Sequence, residues 1–128
     1  MAYLLDTHTL LWYLENNANL SQRMKAFLED AENELFLSIA SLWEIAIKIN
    51  IQKLELKTSF EALRKDLEQF QIHVLPISQD DTQELIDLPL QHRDPFDRMI
   101  IAQSKNLTLP IISRDKYFSL YDIQVVWF

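Results

Sequence analysis

The stretch Leu35-Phe36-Leu37-Ser38-Ile39-Ala40-Ser41-Leu42-Trp43-Glu44-Ile45-Ala46-Ile47 changes its period in the middle. Leu35 to Ser38 is an apolar run of strand length, and from residue 40 to about 51 the apolar residues recur at helical spacing. A strand feeding straight into a helix is the unit of an α/β protein with a parallel sheet. The same alternation extends in both directions. Further strands are expected at Tyr3 to Leu5, His73 to Ile77, Leu109 to Ser113 and Val125 to Phe128, with helices near residues 8 to 15, 20 to 31, 58 to 70, 79 to 87 and 96 to 105. Each strand is rich in Leu, Ile or Val, as strands buried on both faces tend to be. Thr58 and Ser59 before Phe60, and Asp94 before Pro95, mark helix starts by their capping chemistry. The expectation is an α/β fold with three layers, a parallel sheet of about five short strands with helices on both faces, in one domain spanning 1–128.

Composition narrows the chemistry. The chain has no cysteine, which excludes disulfides, thiolate metal sites and cysteine nucleophiles. It also has no glycine, where average usage would give roughly nine. Phosphate-cradling loops need glycine for close backbone approach, so P-loop and dinucleotide-fingerprint readings fall away. No apolar run reaches the roughly 18 residues of a membrane span, and the N-terminus lacks the basic flank of a signal peptide; a soluble, cytoplasmic protein is expected. The net charge of −7 counts against nucleic-acid binding, which depends on bases neutralising phosphates. It is compatible with a polyanion only if the acids cluster where divalent cations reverse their sign, with Lys48, Arg93, Arg98 and Arg114 nearby. An acidic surface also suits a basic protein partner.

Four acids stand out by position. Asp6 ends the first strand, Glu44 lies just past the second, Asp97 opens the helix leading to the fourth, and Asp115 follows the fourth. In open α/β sheets ligands bind outside the carboxyl ends of the strands, where residues distant in sequence converge. Two unit charges about 4 Å apart repel by roughly 4 kcal/mol at an effective dielectric of 20, so four converging carboxylates need a cation. With no cysteine and no paired histidines, oxygen ligands point to Mg²⁺ or Mn²⁺. Such a centre suits phosphodiester hydrolysis.

Each acid also has an ordinary reading. Asp6 caps the helix beginning at Thr7; Asp94 and Asp97 resemble a capping box with Asp97 favoured by the helix dipole; Asp115 caps a short helix over 116–120. Glu44 shares a helix face with Ser41 and Lys48, where a solvated Glu44–Lys48 pair is worth a few tenths of a kcal/mol. Trp12, Trp43 and Trp127 fall on helix and strand periodicities and are expected in the core. His8, His73 and His92 have no metal-ligand spacing, and His73 reads as structural.

At these residues the chain resembles the PIN-domain family, and within it the VapC-type toxins of toxin–antitoxin pairs. The resemblance runs from Tyr3 to Trp127. It is carried by Leu4-Leu5-Asp6-Thr7-His8, by Ser38-Ile39-Ala40-Ser41-Leu42-Trp43-Glu44-Ile45-Ala46, by His92-Arg93-Asp94-Pro95-Phe96-Asp97-Arg98-Met99-Ile100-Ile101-Ala102 and by Ile112-Ser113-Arg114-Asp115-Lys116-Tyr117-Phe118. It implies a PIN-like fold, a Mg²⁺ or Mn²⁺ site, RNA as substrate, a cognate antitoxin as partner and a homodimer. By that likeness Asp6, Glu44 and Asp97 are metal-binding acids and Asp115 the fourth, with Asp94 as neighbour or alternative third acid. Thr7 and Ser41 flank the site and assist through their hydroxyls.

Two other functions compete. A phosphatase with Asp6 as nucleophile, as in haloacid-dehalogenase-like enzymes, wants a second aspartate two residues on, where this chain has His8. A non-catalytic PIN-like module that only binds a protein has no reason to crowd repelling charges into one crevice.

Overall fold

Leu4 and Leu5 are consecutive and both fully buried, yet they belong to opposite sides of the molecule. Leu5 packs with Leu10, Met24, Ile45 and Leu63, whereas Leu4 packs with Ile100, Ile101 and Phe118. Successive side chains of a strand point to opposite faces, so this pair shows a central strand with a core on each side. Burying each contributes about 1.5–3 kcal/mol.

The computed structural model describes all 128 residues. Five strands, β1 (Ala2–Leu5), β2 (Glu34–Ser38), β3 (Ile72–Leu75), β4 (Ile111–Ile112) and β5 (Val125–Val126), form one sheet in the order β3-β2-β1-β4-β5. Every pairing is parallel. The helices are α1 (Thr7–Glu15), α2 (Gln22–Glu29), α3 (Ile39–Asn50), α4 (Phe60–Gln69), α5 (Gln79–Ile86) and α6 (Pro95–Leu107), followed by a 3-10 turn at Lys116–Leu120. Residues of α1 to α4 supply one core, and α6 with the segment around Leu88, Phe118 and Tyr121 supplies the other. The expected three-layer α/β architecture is present, and no helix is long and apolar enough to cross a membrane.

Helix starts follow the capping chemistry. Asp6, Ser21, Ser38, Ser59, Ser78 and Asp94 each accept a backbone N–H at an N-terminus. With no glycine, left-handed positions fall to other residues: Asn16, Gln52, Gln71 and Thr108 all have φ between 53° and 59°. Thr108 closes α6 in this conformation, which crowds a β-branched side chain against the backbone.

Some details differ from expectation. β3 is an edge strand and is not buried on both faces; His73 and Val74 are exposed there, so His73 is a surface residue beside Glu34. β4 and β5 hold only two residues each. Trp43 is not core: it is 60% exposed, edge-on to Phe96 at a 5.4 Å centroid separation. Trp12 and Trp127 are half-buried and meet edge to face.

The chain builds β1, β2 and β3 outward on one side, then crosses back to add β4 and β5 on the other. The reversal leaves a switch point between β1 and β4, where ligands of open α/β sheets bind.

Candidate active site

Register decides what meets at the switch point. Leu5 pairs with Leu37 on one side and Ile112 on the other, so the next residues, Ser38, Asp6 and Ser113, end three adjacent strands. Asp6 is 4% exposed. Its Oδ1 accepts the Thr9 N–H at 2.8 Å and its Oδ2 accepts the Ser113 hydroxyl at 2.6 Å. Burial pushes the Asp6 carboxyl above its ordinary value, although the Ser113 and Thr9 hydrogen bonds pull it down. Asp6 thus caps α1 with one oxygen and faces β4 with the other.

Glu44 is 4% exposed, so the solvated-stripe reading does not hold. Its Oε1 lies 2.9 Å from the Thr7 hydroxyl, which is also 2.9 Å from Ser41 Oγ. A hydroxyl has one proton; Thr7 donates it to the carboxylate and accepts from Ser41. Lys48 Nζ donates to Glu44 Oε2 at 2.8 Å. That hydrogen bond raises the Lys48 ammonium above its ordinary value against partial burial, with help from the charges of Glu44, Asp94 and Asp97.

Asp94 caps α6, its Oδ1 accepting the N–H groups of Phe96 and Asp97. Asp115 accepts the Tyr117 N–H and donates its own N–H to Ser113 Oγ. Ser113, a polar residue at the end of an apolar strand, therefore joins Asp6 to Asp115; sequence reasoning passed over it, and its signal is the position it shares with Asp6 in adjacent strands.

Asp97 reports on the whole constellation. Its carboxyl is pushed up from 3.8 to about 7, first by burial and then by the negative charges of Asp94, Glu44, Asp6 and Asp115. Carboxylates from β1, α3, α6 and the turn after β4 all bear on one group. They do not form a closed cage, since no set of three or more acidic or imidazole side chains is gathered tightly enough to enclose an ion. Backbone N–H groups bond Asp6, Asp94 and Asp115, and Lys48 bonds Glu44. Asp6 and Asp115 share a cavity of about 320 Å³ with His8, Trp12, Asn19 and Arg114. A larger depression of about 730 Å³ lies over α4 and edge strand β3, away from these acids.

Of the bases expected nearby, Lys48 is bound to Glu44, Arg114 is exposed and lies over Trp12 at 5.7 Å, and Arg93 is exposed. Arg98 differs: its guanidinium is committed to the Pro89 carbonyl at 2.9 Å, the Tyr121 hydroxyl at 3.0 Å and the Leu88 carbonyl at 3.4 Å. It is a strut of the α5–α6 connection.

The PIN domain family model matches residues 3–124. The chain belongs to the PIN domain family. Among solved structures, this PIN domain is similar to a chain of Rickettsia felis VapBC2 bound to a DNA fragment from their promoter, at 15% identity and TM-score 0.72, covering 98% of each chain. It is similar to a chain of VapBC-1 from nontypeable Haemophilus influenzae at 19% identity and TM-score 0.72, covering 98% of this chain and 97% of that one. It is also similar to a chain of a toxin–antitoxin complex from Klebsiella pneumoniae at 20% identity and TM-score 0.65, covering 98% and 96%. At these identities the likeness is one of fold. No curated protein matches the sequence.

An all-oxygen donor set, buried and mutually repelling, fits a hard divalent cation. The upward displacement of Asp97 comes first from burial and then from neighbouring negative charge, and a bound cation would oppose both.

Proposed function

We propose that this PIN domain is a Mg²⁺- or Mn²⁺-dependent endoribonuclease that hydrolyses RNA phosphodiester bonds, and that it is the toxin of a toxin–antitoxin pair. The observation that carries the reading is Asp97, raised to about 7 first by burial and then by the negative charges of Asp94, Glu44, Asp6 and Asp115. Family membership and the toxin–antitoxin complexes among structures of the same fold support it.

Asp6, Glu44, Asp97 and Asp115 would hold the cation, with Asp94 capping α6 beside Asp97 and Thr7 and Ser41 aiming Glu44. When bound, the ion supplies Lewis acidity that activates water and offsets charge on the phosphate. The protein's part is positioning. Asp6 is fixed by two hydrogen bonds at the strand end, and Glu44 is fixed by Thr7 and Lys48. Asp97, raised by burial and by the neighbouring acids, would give up its proton on taking the cation. Arg114, which shares a cavity with Asp6 and Asp115, and Arg93 are both exposed and offer charge to the RNA backbone. The remaining partners are a cognate antitoxin and a second copy of the chain in a cytoplasmic homodimer; exposed apolar residues such as Trp43 leave surface for such contacts.

The test is cleavage of single-stranded RNA by the purified chain with Mn²⁺, with excess chelator, and as Asp6→Asn. Metal-dependent cleavage lost in the variant supports the reading. Cleavage that persists in chelator, or equally in the variant, overturns it.

A further inference from the structure

His92 is 10% exposed and stands where its ring can act on Asp97. The imidazole stacks on Tyr117, with centroids 5.4 Å apart and an interplanar angle of 2°, and meets Tyr121 edge-on. Its Nε2 is buried with no hydrogen-bond partner and lies 3.7 Å from Asp97 Oδ2. A buried ring nitrogen left unpaired costs desolvation energy, so the geometry asks what it is there to do.

The hydrogen bonds on the other side of the ring determine where its proton sits. The Tyr121 oxygen accepts from Arg98 Nη1 at 3.0 Å and from the His92 backbone N–H at 3.3 Å. Both its lone pairs are then in use. Its own proton is left to donate, and His92 Nδ1 lies 2.9 Å away. A ring nitrogen that accepts carries no proton, which puts the imidazole hydrogen on Nε2. That hydrogen is on the nitrogen next to Asp97.

We propose that Tyr121, oriented by Arg98, locks His92 in the Nε2–H tautomer so that the ring N–H orients the Asp97 carboxylate toward the acidic crevice. His92 is a positioning residue and acts through Asp97. The separation of 3.7 Å is beyond a hydrogen bond, and a shift of roughly half an ångström brings it into range. Partners of this kind fix the direction of carboxylate and imidazole ligands around metal centres and typically contribute 10–100-fold to affinity. The same relay explains the position of Arg98, whose guanidinium is bonded to the loop between α5 and α6 and to Tyr121. The orienting role rests on the nuclease reading, whereas the tautomer does not.

Two measurements test it. In ¹⁵N-labelled, metal-free protein, the His92 ring should show an unprotonated Nδ1 and a protonated Nε2, and Tyr121→Phe should weaken that preference. A protonated Nδ1 in the unmutated chain overturns the proposal. In Mn²⁺ titrations, His92→Gln, whose amide N–H can reach the Nε2 position, should stay within about threefold of the unmutated affinity, while His92→Asn, which reaches only the Nδ1 position, should weaken binding about tenfold or more. Equal affinities for the two variants overturn the orienting role. If the unmutated chain binds no Mn²⁺, the nuclease reading and the orienting role fall together, and the tautomer spectrum still reports whether the Arg98–Tyr121–His92 relay exists.

Discussion

The Thr7 hydroxyl donates to Glu44 Oε1 across 2.9 Å, linking the first turn of α1 to α3 through two buried side chains. Thr7 directly follows Asp6, so one short segment supplies both an acid and the donor that aims a second acid from 37 residues away.

Replacing that donor should be felt in stability and in binding. Thr7→Val keeps the shape but leaves a buried carboxylate oxygen without its partner, at a cost of about 1.5–3 kcal/mol for a bond to a charged group. Thr7→Ser retains the hydroxyl and should cost about 1 kcal/mol or less. Urea midpoints of the two variants decide it; equal losses would show that the hydroxyl contributes nothing.

The Asp97 carboxyl imposes a pH dependence of definite sign. Its folded value, about 7, lies above the ordinary 3.8, so between these values the folded chain keeps a proton that the unfolded chain releases. Stability therefore falls as pH rises from about 4 to about 7, by a few kcal/mol at most. Asp6 is displaced in the same direction. Asp81 works oppositely: burial raises it, but hydrogen bonds from Ser78, Asn106 and Gln103 outweigh burial and hold it below the ordinary value, so its contribution is lost only at lower pH. In chelator, urea midpoints should be higher at pH 5 than at pH 8, and Asp97→Asn should flatten the difference. A midpoint that rises with pH, or a slope unchanged in the variant, contradicts the assignment.

Much of this was legible in the sequence because strands and caps leave local signals. Leu35 to Ser38 read as a strand, and Ser59, Asp94 and Asp115 cap the segments they precede. What was not legible depends on partners far away in the chain. Trp43 sits on an apolar helix, yet its exposure is set by what covers α3. β4 holds only Ile111 and Ile112, the two residues that pair with β1 and β5. The acids were found one by one at their strand ends and helix starts, but their partners were not: backbone N–H groups bond Asp6, Asp94 and Asp115, and Lys48 bonds Glu44. Arg98 carries a charge legible in the sequence, whereas its bond to Tyr121, 23 residues on, is visible only in the structure.

Lys48 Nζ is paired with Glu44 Oε2, and the charges of Asp94 and Asp97 also act on it. Lys48→Gln should lower stability without metal by about 0.5–1 kcal/mol and should tighten Mn²⁺ binding severalfold, because a competing positive charge is gone. Parallel thermal melts and Mn²⁺ titrations check both signs. Weaker Mn²⁺ binding in the variant would place the ion away from Glu44.

Thr108 closes α6 with φ 55° and ψ 46°, a conformation that costs a β-branched residue roughly 1–2 kcal/mol. Thr108→Gly should stabilise the fold by about 0.5–1 kcal/mol, the remainder being offset by glycine's greater freedom in the unfolded chain. A lower urea midpoint for the variant would show that the threonine side chain makes a compensating contact.

The central claim is that crowded carboxylates, one of them holding a proton near neutral pH, form a site for a divalent cation. Calorimetric titration of Mn²⁺ at pH 7, in buffers of different ionisation enthalpy, measures binding and proton release together. The account predicts binding that releases protons at pH 7 and almost none above about pH 9, and that is abolished in Asp6→Asn. Mn²⁺ heats that match a buffer blank, or binding with no proton release at pH 7, would contradict it.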